Sequence, residues 1–202
     1  MRLKLAFLTL SFCLILYQPT SADPVRLAPD EGLMGKFSQS RFLAGFDKPI
    51  ISAGQFFLLP GTALIWQTEK PFKSFMVIDD EGISQSVAGK EISKLSIAQF
   101  PSLSVLRDVL EDSLSGNWEP LETMTGSKTV RDTDSWRLEF IPAESDVKFP
   151  FTALSFEMTD YLDKIDIKKG EEDRDIITFS DQQKAPLGDV RSAAQKSRQA
   201  PL

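Results

Sequence analysis

From Ile50 to Leu59 the chain reads IISAGQFFLL and ends in Pro60-Gly61. Side chains on a strand point alternately to its two faces. The consecutive residues Phe56, Phe57, Leu58 and Leu59 therefore place apolar surface on both. Such a strand cannot belong to a sheet that leaves one face in water; it has to be covered twice. Two architectures meet the requirement. One is a sheet held between a helix and more sheet. The other is a curved sheet whose concave face bounds an apolar cavity, closed by a helix. Fifteen Phe and three Trp are a heavy aromatic load for a chain of net charge -6, and fit either.

Around this strand the pattern is that of a meander. Phe37, Gln39, Arg41 and Leu43 alternate with Ser38, Ser40, Phe42 and Ala44. Further strands are expected over Ala63 to Thr68, Ser74 to Ile78 and Ile83 to Val87, divided by Lys70-Pro71 and by the turn Asp79-Asp80-Glu81-Gly82. Between Leu95 and Gly116 the period changes. Leu103, Leu106, Leu110 and Leu114 recur at three and four residues with Val109 on their flank, which predicts one amphipathic helix, with Ser102 as its N-cap and Gly116 as its stop. Strands are expected again at Glu119 to Thr125, Ser135 to Ile141, Ala153 to Met158, Leu162 to Ile167 and Ile176 to Phe179. Residues 182 to 202 lack aromatics and apolar periodicity, and predict a disordered, basic tail.

The chemistry open to the chain is narrow. It has no histidine and one cysteine, Cys13. Imidazole acid/base catalysis, Ser-His-Asp or Cys-His nucleophiles and zinc sites of the usual ligands are thereby excluded. Ser145-Asp146-Val147-Lys148 has the spacing of a serine-lysine dyad, but that arrangement works on a helix, and Pro142 and Pro150 bracket the segment. The acidic pairs Asp79-Asp80 and Glu171-Glu172 sit in turn-like segments where solvated charge is the expectation. No enzyme, metal or cofactor is expected, and the negative net charge argues against a nucleic-acid partner.

The first residues resemble an export signal. Arg2 and Lys4 precede the apolar stretch Leu5 to Tyr17, and Gln18-Pro19-Thr20-Ser21-Ala22 forms a polar exit that predicts cleavage after Ala22. The stretch is shorter than the roughly 20 residues a membrane-spanning helix requires. Cys13 lies inside it, flanked by Phe12 and Leu14, and is expected to be removed with it. The expected plan is a signal peptide over 1–22, a domain over 23–181 and a tail over 182–202, in a monomer exported to the periplasm.

Four pieces occur in order: Phe37-Ser38-Gln39; Gly54 to Leu59 ending at Pro60; Trp66 five residues before Pro71; and Val77-Ile78 running into the acidic turn that ends at Gly82. In this order and spacing the chain resembles the LolA family of outer-membrane lipoprotein carriers, over roughly Leu33 to Phe179. The resemblance implies a mainly β (α+β) fold, an incomplete antiparallel β-barrel with a helical lid over an apolar cavity for acyl chains. Carried over by position, Phe56, Leu58, Trp66, Phe75 and Val77 would face that cavity, with Leu103, Leu106 and Leu110 under the lid. The implied function is periplasmic carriage of an acylated lipoprotein or lipid, with an inner-membrane donor and an outer-membrane acceptor as partners. The alternative is a non-catalytic partner-binding domain on the same scaffold. Two departures stand out. Leu59 precedes Pro60 where well-known members carry a lid-locking Arg. The long N-terminal helix of the family is reduced to Pro29 to Met34.

Overall fold

A computed structural model describes residues 25–124, 126–131, 135–142, 149 and 151–199. The export-signal segment with Cys13 and Ala22, and Ser145 with Lys148, lie outside the described residues. The elements run β1 (Glu31–Phe42), β2 (Ile50–Leu59), β3 (Ala63–Lys70), β4 (Ser74–Ile78), β5 (Gly82–Val87), β6 (Lys90–Ser96), α1 (Ser102–Ser115), α2 (Trp118–Thr123), β7 (Ser127–Arg131), β8 (Trp136–Phe140), β9 (Ala153–Met158), β10 (Leu162–Lys168), β11 (Arg174–Pro186) and α3 (Leu187–Gln199).

The strands form one 11-stranded antiparallel sheet in the order β6-β5-β4-β3-β2-β1-β11-β10-β9-β8-β7. Two meanders, one from each half of the chain, are joined where β1 pairs with β11, with Phe37 opposite Phe179. The outermost strands β6 and β7 do not pair with each other, so the sheet is an open half-barrel. The turns follow from their residues. Asp79 accepts the N–H groups of Glu81 and Gly82 on Oδ1 at 3.0 and 3.2 Å, an Asx arrangement that reverses the chain between β4 and β5.

Helices α1 and α2 lie over the inner face. Val109, Leu114, Trp118 and Leu121 join a core that runs from Phe37 and Trp66 through Phe179 to Phe156 and Leu138. The indole of Trp118 stands edge-on to Trp136 of β8, ring centroids 4.7 Å apart. Helix α3 covers the outer face, where Val190 and Ala194 bury Phe57 and Leu59. The doubly apolar strand is thus covered on both sides, by different parts of the chain.

Several expectations are corrected. The strand expected over Glu119 to Thr125 is instead the short helix α2, whose Trp118 and Leu121 are one turn apart and buried. Pro120 is accommodated because first-turn N–H groups have no intrahelical partner. The expected N-terminal helical remnant is strand from Glu31, since Leu33 pairs with both Leu58 and Lys184. Strand β6 was not foreseen: its sequence KEISKLS is almost wholly exposed and carries no burial pattern. Residues 182–199 are not a disordered tail. Strand β11 continues to Pro186 along β1, and α3 follows. Finally, α1 begins at Ser102 with Pro101 in the N-cap position, and it ends as expected at Gly116.

Candidate functional site: a cavity between the sheet and its helical lid

Cross-strand register determines which side chains share the inner face. Phe56 stands opposite Trp66, Trp66 opposite Met76, and Met76 opposite Gln85. On the other side of β1, Phe179, Ile177 and Asp175 of β11 continue the row, then Ile165 of β10 and Phe156 of β9. Between this face and the underside of α1 is a cavity of about 600 Å³, walled by Trp66, Met76 and Ile78 on one side and Phe156, Ile165 and Ile177 on the other. Of the wall residues, Trp66 is backed by core aromatics that do not themselves line the cavity: its ring is 4.4 Å from Phe37 and 5.8 Å from Phe179.

The predicted site residues divide into three groups. Trp66, Leu106 and Leu110 border the cavity. Phe56, Leu58 and Leu103 do not: the first two share the inner face but are wholly enclosed in the core, and Leu103 is buried in the first turn of α1. Phe75 and Val77 are on the outer face. They stand opposite Gln67 and Ile65, on the same side as Phe57 and Leu59, because the β3–β4 turn sets Trp66 against Met76. Phe75, Met76, Val77 and Ile78 are all apolar, so alternation within β4 gave no signal for its parity.

Sequence reasoning missed the polar end of the cavity altogether. Arg41 and Asp175 are cross-strand partners near the open ends of β1 and β11. The guanidinium donates from Nε and Nη2 to the two oxygens of Asp175 at 3.0 and 3.2 Å, and Lys169 Nζ donates to Oδ2 at 2.6 Å. Asp175 is 3% exposed. Burial alone would raise its carboxyl, but the hydrogen bonds and charges of Arg41 and Lys169 outweigh it and hold the group below the usual carboxylate value. Beside this cluster, Ser52 Oγ donates to Gln39 Oε1 at 3.4 Å. The available signal was a single charge, Asp175, breaking the apolar parity of Ile177 and Phe179.

The lid is fastened mainly at its C-terminal half. Glu111 Oε1 accepts the N–H of Gly61 in the β2–β3 turn at 2.7 Å. The carbonyl of Ser115 accepts the N–H of Leu27 at 3.0 Å, and Arg26 donates to Asn117. A carboxylate on the helix thus meets a backbone N–H two residues past Leu59, where the family resemblance led one to look for an arginine. Asp112, bonded by Asn117 Nδ2 at 2.7 Å, is raised above its ordinary value by burial, which that bond only partly offsets.

A second hollow of about 400 Å³ lies outside the sheet, between α3 and β3 to β5, with Phe75 and Val77 at its base and Arg191 and Arg198 on its rim. Among the described residues no group of three or more Asp, Glu, His or Cys is placed to hold a metal ion, and no helix is long and apolar enough to cross a membrane.

The molecule defined by this geometry is an open antiparallel half-barrel with a helical lid over an apolar cavity. No family model and no curated protein matches the chain. Solved structures similar to it include a LolA superfamily protein from Nitrosomonas europaea, at 10% identity over 81% of this chain and 90% of that one, TM-score 0.39. A Vibrio parahaemolyticus domain provisionally described as outer membrane lipoprotein-sorting is 8% identical over 85% of this chain and 93% of its own, TM-score 0.37. A DUF1329 family protein from Desulfovibrio piger is 10% identical over 76% and 85%, TM-score 0.35.

Proposed function

We propose that the protein is a periplasmic carrier that shields the acyl chains of a lipoprotein or a (glyco)lipid in transit between inner and outer membrane. The observation that supports this reading is the cavity itself. Its roughly 600 Å³ fall in the range of small-molecule sites, and its walls are apolar over most of their extent. Covering about ten methylenes at ~0.8 kcal/mol each would gain roughly 8 kcal/mol, before the cost of immobilising the chain is subtracted. That is enough to hold a cargo and small enough for release once the lid shifts. The reading is supported by the resemblance of residues 1–22 to an export signal, which would deliver such a carrier to where acyl chains need cover from water.

Purified from its own host, the protein is expected to bring lipid with it, detected by native mass spectrometry and by extraction. Absence of co-purifying lipid, together with failure to displace a fluorescent fatty-acid probe, would reject the carrier reading. A second reading, a non-catalytic partner-binding domain, is favoured by one observation. Phe46 and Phe72, 66% and 79% exposed, stand with Ile50 and Ile51 around the end of the half-barrel formed by the β1–β2 and β3–β4 turns. In-cell crosslinking that captures a protein at these positions, with an affinity indifferent to lipid, would support it over the first.

A further inference from the structure

We propose that the cavity takes an amphiphile with an anionic head, whose carboxylate or phosphate is received by Arg41, with Lys169, bonded to the same Asp175, supplying a second positive charge from outside the lining. This deepens the carrier reading and rests on it. The cavity is polarised along the strands. Toward the turn that joins β1 and β2 it presents Arg41, Asp175, Gln39, Ser52 and Thr68 beside the apolar Ile50 and Ile167; toward the lid it presents Trp66, Met76, Leu106 and Leu110, with Gln85 opposite Met76. Arg41 and Asp175 are the only charged residues among the described ones that line it. Along β4 the lining runs from Ser74 to Ile78, four residues of strand, about 13 Å at ~3.3 Å per residue. A head held at one end therefore leaves its tail lying along apolar wall.

The charge balance gives the sign of the head. Asp175 is a single carboxylate, almost completely buried, and two cations are bonded to it. Neutralising a buried carboxylate needs only one, so the cluster carries a surplus positive charge. Donors also remain. A guanidinium has five N–H groups and an ammonium three, of which Asp175 takes two and one. Both cations still reach solvent, with side-chain exposures of 46% for Arg41 and 38% for Lys169. Bonded in place by Asp175, Arg41 offers preorganised donors to an oxyanion in the cavity, where charge-assisted hydrogen bonds are the strong kind, and Lys169 adds its charge from outside the lining. Glu171, Glu172 and Asp173, like Lys169, are outside the cavity lining, and none of the three is bonded to Asp175.

The test compares three probes on delipidated protein by calorimetry: palmitate, palmitoyl lysophosphatidylglycerol and the uncharged monopalmitoylglycerol. At least one anionic probe is expected to bind about tenfold or more tightly than the uncharged one, the scale of one charge-assisted hydrogen bond. Which of the two does so distinguishes a carboxylate from a phosphate head. In Lys169→Gln, which removes the surplus charge and keeps the Arg41–Asp175 pair, the ratio of anionic to uncharged affinity should fall toward one. The triple variant Lys169→Gln, Arg41→Gln and Asp175→Asn removes every charge of the cluster, leaves none buried and unpaired, and should lower it likewise. Equal binding of all three probes, or an undiminished ratio in both variants, overturns the headgroup proposal and leaves the carrier reading standing. Failure of every probe to bind overturns the carrier reading as well.

Discussion

Phe75 and Met76 are adjacent in the chain and on opposite sides of the sheet, Phe75 beside α3 and Met76 on the cavity wall. This separates ligand contact from stability with a matched pair of substitutions. Met76→Gln is expected to weaken binding of a fatty-acid probe about tenfold, because an amide then has to be desolvated against an acyl chain. Phe75→Gln should leave it within about twofold, since its side chain meets the other hollow. Melting temperatures of both, measured alongside, separate lost contacts from unfolding. Asp175 belongs to the same scale. Its native value is lowered, so the folded protein binds fewer protons there than the unfolded chain. The contribution is fully present above the ordinary value of 3.8 and is lost as pH falls through the lowered native value. Thermal melts followed from neutral pH downward should show Asp175→Asn to be less stable at neutrality, with a shallower loss of stability in acid than the parent.

Element by element, what could be seen in the sequence depended on how much each segment buries. Helix α1 was legible because Leu103, Leu106, Leu110 and Leu114 repeat over three turns, and β1 to β5 because turn residues separate alternating runs. Six-residue α2 is too short for a period to show, and β6 buries too little to have one. In α3 the buried stripe is only Val190 and Ala194, small side chains among charges, a pattern that resembles solvated chain. The cavity wall at Trp66 and the lid residues Leu106 and Leu110 could be foreseen; the polar end could not, because Arg41 and Asp175 are joined only by a pairing between the two ends of the chain. The same scale holds a prediction for the lid. Gly116 closes α1 at a φ of +75°, and a Cβ there would meet the carbonyl oxygen of Val25 at 2.2 Å. Gly116→Ala should therefore cost about 1 kcal/mol or more, read from the urea midpoint. Glu111→Gln exchanges a charge-assisted bond to Gly61 for a neutral one at an exposed site, and should cost no more than about 1 kcal/mol while raising the rate of probe release.

Taken as a whole, the molecule has two faces with separate tasks. The inner face keeps its cavity under α1, whereas the outer face is made continuous with α3. Buried Gln67 on that outer face is satisfied by Ser197 of the same helix, so α3 completes the outer side in polar as well as apolar groups. Removing residues 187–202 would uncover Phe57 and Leu59 and strip Gln67 of that partner. Exposing two large side chains and losing the burial of Val190 should cost on the order of 5 kcal/mol, at about 1.5–3 kcal/mol for each. Because α3 makes no part of the cavity lining, the truncated chain that remains folded should still bind a fatty-acid probe with near-parent affinity. The expected outcome is a lower urea midpoint with binding per folded molecule preserved, measured by titrating the probe below the unfolding transition. If binding were lost while the midpoint held, α3 would have to be reassigned from an outer buttress to a part of the site, and the hollow beside Phe75 and Val77 would become the better place to look for cargo.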